Sequence, residues 1–255
     1  MGMITNWFDK ISRYTYFKSS ELNSLLLSIA VIAFIISFRN WGVGKEIDFS
    51  HGIVNLIGAM LIVSISLTLR LLFQKIVALG ADLQAEYKLW SIGLFIALIL
   101  GFITNGLVWF IVPGSIVMNF MPGHRIGWLR YSLNYFGIGV ISLAGPIANI
   151  FLAMIFRTLY DITSIQLFHA AFLLNIIMAL WNMLPIPPAD GSRIFFGSRL
   201  VYMFGTAVVV SSAILLYANI NIIVTIIASV LLGWLWWLIY YIVWERFNWG
   251  KGPWA

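Results

Sequence analysis

The sequence predicts an all-α polytopic membrane protein with about six transmembrane helices, a re-entrant segment and a small β-hairpin. Three observations predict it. Only 9% of the 255 residues are charged and 62% are hydrophobic, whereas soluble domains are about a quarter charged. Apolar runs of spanning length follow one another at about 22–38, 53–79, 90–112, 135–157, 166–184, 200–217 and 219–243. The longest polar connection, about 113–134 ("PGSIVMNFMPGHRIGWLRYSLN"), alternates apolar residues between two Pro-Gly turns, the pattern of a hairpin.

The elements follow in order. Residues 1–21 open with "MGMITNWFDKISRYTYFKSS", polar and aromatic without an apolar stretch and cleavage site, and predict a cytoplasmic segment with no cleavable signal. Residues 22–199 form a membrane core that includes the first helix, and 200–255 a helix pair with a short tail. The run at 90–112 decides the topology. If it spans, the basic residues divide between the two sides without preference. If it turns back at "GFITNG", eleven lie on the side of the N-terminus and only Arg39, Lys45 and Arg157 on the other, Arg70 being intramembrane. The positive-inside rule selects the second arrangement and a cytoplasmic N-terminus. Tryptophan and tyrosine in "GWLWWLIYYIVWERFNWGKGPWA" fit interfacial anchoring.

Composition also excludes functions. There is no cysteine, hence no disulfide and no thiolate metal site. The net charge of +6 is spread singly between apolar runs, which argues for membrane topology and against nucleic-acid binding. The histidines are His51, His124 and His169. His51 stands nineteen residues before Arg70, about 28 Å along one helix. His169 opens its helix on the far side, and only His124 is placed to approach Asp190. The sequence makes Asp190 the acid expected at a site within the membrane, with Asp82 and Glu86 in the loop after the Arg70 helix.

Two stretches carry the recognisable chemistry. "SLAGPIANIFLA" (Ser142 to Ala153) has Gly145, Pro146 and Asn149, and "WNMLPIPPADGSRIF" (Trp181 to Phe195) has Asn182, Pro185, Asp190 and Gly191. Together with the "VPGSIVMN" turn, they resemble the site-2 protease family of intramembrane zinc metalloproteases over roughly residues 60–200. The resemblance implies that Asp190 is a zinc ligand and that H-E-x-x-H stands on the preceding helix, two histidines for zinc and a glutamate as base. That motif aligns with "LRLLFQK", Leu69 to Lys75, which puts Arg70 and Gln74 at the histidines and Leu71 at the glutamate. Arginine cannot ligate a metal and leucine cannot take a proton.

The expectation is therefore a degenerate member, a pseudoprotease with no catalytic residue, Asp190 a vestigial ligand and no cofactor. Gly145, Pro146, Asn149, Asn182, Pro185, Asp190 and Gly191 would shape a cleft that binds or scaffolds transmembrane partners, as a subunit of a membrane complex. Arg70 is expected to pair with Asp190, with Gln74 adding a hydrogen bond; the alternative is that Arg70 snorkels to phosphate at the interface. Asn149 and Asn182 are expected to bond between helices. The alternative function is an active zinc metalloprotease with an altered site; a transport or lipid-handling role, which needs a continuous polar pathway, ranks third because ionisable residues are nearly absent from the spans. The protein is expected to be integral to a prokaryotic cell membrane, in contact with lipids and without nucleic acid.

Overall fold

The computed structural model describes residues 3–41, 48–121 and 134–246. Five helices are long and apolar enough to cross a membrane: α2 (Ser19–Ser37), α3 (Phe49–Gly80), α5 (Tyr135–Thr163), α8 (Arg199–Tyr217) and α9 (Ile222–Tyr240), the last continued by a π turn, Tyr241–Arg246. Polar side chains start several of them. Asp48 accepts from the Ser50 and His51 amides at the head of α3, Asn134 from Phe136 at α5, Ser198 from Val201 at α8 and Asn221 from Ile223 at α9. Each satisfies an amide that the first helical turn leaves without a carbonyl.

Shorter helices complete the set. An N-terminal helix α1 (Met3–Tyr14) precedes α2, so the polar opening segment is helical. A shorter helix α6 (Gln166–Asn182) follows α5, and α7 (Asp190–Gly197) lies beyond the proline-rich break. All seven apolar runs become helical, but α4 (Ser91–Ile103) has only 13 residues, about 20 Å, against a hydrocarbon core of about 30 Å. After it the chain turns at Thr104–Gly106, where Asn105 and Gly106 have φ of 49° and 69°.

The sheet corrects an expectation. Strand β2 (Gly114–Phe120) lies inside the predicted hairpin region, but its partner is β1 (Leu83–Leu89), which precedes α4. Residues 122–133, which would have supplied the other arm, lie outside the described residues, as does His124. The antiparallel register runs from Leu83↔Phe120 to Leu89↔Gly114. Leu83, Ala85 and Tyr87 point into the core, while Gln84, Glu86 and Lys88 do not, the alternation of a half-buried sheet. Because Leu89 faces Gly114 and the Trp90 amide bonds to Pro113 O (3.0 Å), the segment 90–113 leaves from and returns to one place.

Side chains such as Ile32, Val63, Leu67, Phe172, Leu174 and Met178 fill a core between α2, α3, α5 and α6. The C-terminal pair is more peripheral: α9 is only 17% buried over its span and packs on α8 through Thr225, Ser229 and Gly233. At the opposite end from the sheet, Arg157 donates to Leu216 O (3.1 Å) and to Asn219, capping the carbonyl end of α8.

Candidate functional site

Four elements meet around Asp190. Arg70 and Gln74 sit one turn apart on α3 and so share a face. Arg70 lies ten residues before the end of that helix, about 15 Å inside it. Gly145 and Pro146 come from α5, Asp190 is the first residue of α7, and the Gly114 end of β2 closes the site.

Local sequence explains the fit. Pro146 has no amide hydrogen, so the Ser142 carbonyl four residues earlier loses its helical partner. Gln74 Nε2 donates to that carbonyl at 3.4 Å. A Cβ on Gly145 would lie 2.4 Å from Gln74 Nε2 and 2.9 Å from Asp190 Oδ2, so glycine there admits polar side chains, beyond the helix packing expected of it. The Gly191 position is equally tight, with a Cβ 2.2 Å from Met183 O. The break at "LPIPPA" separates α6 from α7, and Asp190 begins the new helix instead of hanging in an unwound stretch.

The structure puts Arg70 and Asp190 in a buried ion pair, side chains 5% and 2% exposed. Asp190 Oδ2 accepts from Arg70 Nη2 and, at 3.0 Å, from Gln74 Nε2. Arg70 thus turns inward, and not to the interface. Its Nη1 is buried without a partner, beside a void of about 10 Å³ bordered by Gln74, Tyr87, Gly114 and Asp190. That is about the room one water needs.

The other predicted residues divide. Asn182 Nδ2 donates to Met178 O (2.8 Å) and across to Ile111 O (3.4 Å), on the segment returning from α4. Asn149 is fully buried and neither side-chain atom has a partner, so the interhelical bond expected of it is absent. Pro185 belongs to the break. Leu71 is buried in apolar contact. His51 is exposed in the first turn of α3, and His169 packs 5.0 Å from the Tyr160 ring. Asp82 and Glu86 are engaged by Lys10 and Lys18.

Sequence reasoning missed a second buried pair nearby. Lys75 Nζ donates to Glu21 Oε2 (3.0 Å) and Tyr16 O (2.9 Å), while Glu21 Oε1 accepts from the Tyr87 amide (2.7 Å). This ties the start of α2, the end of α3 and β1 together. An acid at 21 beside a lysine one residue past Gln74 gave no local signal of their meeting.

Zinc can be tested against this donor set. A catalytic zinc takes three protein ligands, and this site offers one carboxylate flanked by a guanidinium and a carboxamide. Among the described residues no three His, Cys, Asp or Glu side chains form a group that could hold a metal ion. The residues present do not fit the metal.

The comparisons are sparse. No family model matches the chain, and no solved structure matches it. Over 185 residues, 70% of this chain and 84% of the relative, it is 29% identical to a Methanocaldococcus jannaschii protein named "Putative zinc metalloprotease MJ0611".

Proposed function

We propose that this protein is a non-catalytic member of the site-2 protease family, a pseudoprotease that holds or scaffolds transmembrane segments of other proteins within a membrane complex. One observation carries the reading: a covalently attached cation, Arg70, sits on Asp190, with Gln74 beside it and Leu71 where a base would be needed. On this reading Asp190 is a former ligand, and no bound metal is expected at the site. The proposal includes α6 as a sixth span, since 17 residues reach about 26 Å, and 90–113 as a re-entrant element. It also includes a cytoplasmic N-terminus in a prokaryotic cell membrane, lipid contacts and no nucleic-acid partner.

Metal analysis tests it. Protein purified from zinc-supplemented cells is expected to carry zinc far below one per chain. The triple substitution Arg70→His, Leu71→Glu, Gln74→His is expected to gain zinc and, if the scaffold is intact, peptide cleavage. Stoichiometric zinc in the unaltered protein would instead establish the second reading, an active metalloprotease with an altered site, which the similarity to the M. jannaschii protein favours.

A further inference from the structure

Charge is left over at the sheet end of the molecule. The described acids of this region each have a basic partner: Asp9 with Arg13, Glu21 with Lys75, Asp82 with Lys10, Glu86 with Lys18 and Asp190 with Arg70. Among the described residues, Arg246 at the end of the π turn has no acidic partner, nor do three bases nearer the sheet, Lys88, Arg193 and Arg199. Arg199 lies over the Phe195 ring at 5.8 Å.

The other two converge on one side chain. Lys88 and Ser115 are directly opposed in the sheet, so their side chains leave the same face with Cβ atoms about 5 Å apart. Arg193, on the first turn of α7, donates from Nη2 to Ser115 Oγ at 3.2 Å. Its Nη1 is buried with no partner among the described residues, whereas Lys88 is exposed. Burial pushes the Arg193 guanidinium below its ordinary value, and Asp190, already paired with Arg70, offsets that only in part. An unmet buried N–H on a cation is costly, so the geometry lacks an acceptor.

The missing group is identifiable by its chemistry. It must accept from a guanidinium and an ammonium, and from the Ser115 hydroxyl, whose oxygen accepts from Arg193. Phosphate carries its acceptor oxygens tetrahedrally around one centre, able to face donors from several directions and to suit a guanidinium fork, whereas the two oxygens of a carboxylate lie in one plane. We propose that Lys88, Ser115 and Arg193 form a phosphate-binding site on the polar face of the sheet, next to the Arg70–Asp190 pair. The phosphate comes from an anionic lipid headgroup or from solution. The site is independent of whether the protein cleaves peptides.

The experiment uses the full chain in phosphatidylcholine nanodiscs with a minor fraction of phosphatidylglycerol, reading lipid retained per chain by mass spectrometry after detergent extraction. The unaltered protein is expected to retain phosphatidylglycerol, Lys88→Ala and Arg193→Gln each to lower its affinity about tenfold, and Arg199→Gln to leave it unchanged. Displacement by millimolar inorganic phosphate assigns the site to free phosphate, and retention in its presence assigns it to the lipid. Equal retention by the unaltered and substituted proteins, or an equal loss on Arg199→Gln, overturns the proposal. Melting temperatures establish folding; should the Arg193 variant fail to fold, exposed and unpaired Lys88 decides alone.

Discussion

Arg70 and Asp190 are each tolerable only because of the other. Removing one member of a buried pair leaves an uncompensated charge and costs about 3–5 kcal/mol, while replacing both by apolar residues of similar size is often neutral. Asp190→Ala is therefore expected to destabilise by about that amount, and Arg70→Met with Asp190→Leu to recover most of the loss, read as unfolding midpoints in mild detergent. Gly145→Ala places a methyl group against Gln74 Nε2 at 2.4 Å and is expected to cost about 1–3 kcal/mol. The legible part of this site was chemical. Arg70, Gln74 and Asp190 were identifiable because each stands at a motif position, and a buried cation requires a partner. Ser142 was equally available, four residues before a proline, but Tyr87 and Gly114 reach the site through a strand pairing that no local pattern specifies.

Among the elements, the N-terminal helix and residues 15–18 after it are held to the sheet end by polar ties. Trp7 Nε1 donates to Ile76 O (3.2 Å), Lys10 pairs with Asp82 and Lys18 with Glu86. The Lys18 hydrogen bond holds the Glu86 carboxyl below its ordinary 4.5, so this tie stabilises above that value and is lost as pH falls through the lowered one. Lys18 is raised above 10.5 by the same bond, so its contribution persists below 10.5 and disappears as pH rises through the raised value. The chain at residues 15–18 is thus expected to be protected from protease between about pH 5 and 10, and to become cleavable first on the acid side, as followed by limited proteolysis. Glu86→Gln is expected to remove most of the acid sensitivity. Strand pairing is not legible at this scale, because alternation shows that a segment is a strand without naming its partner, and the second arm of the expected hairpin lies outside the described residues. Two Pro-Gly turns suggested a local one, whereas the actual partner lies across the whole α4 excursion.

For the molecule as a whole, the apolar runs were readable because a bilayer imposes length, and every run became a helix. The fate of 90–112 depended on charge distribution, an argument about the entire chain. The pairing of Leu89 with Gly114 brings both ends of that run together. The absence of cysteine makes the corresponding topology measurable. Single cysteines at Glu86 and Arg199 are expected to label from the same side of sealed vesicles as one at Arg13, and a cysteine at Asn219 from the other. Labelling of Arg13 and Arg199 from opposite sides would mean that 90–113 crosses.

The cation facing Asp190 is encoded in the polypeptide. Its arrival requires no uptake, delivery protein or loading step, and its occupancy is complete as soon as the chain is made. A relative that depends on an exchangeable ion rises and falls with the supply of that ion. On the proposed reading this protein, assembled under starvation or in the presence of a chelator, is expected to reach the same folded form.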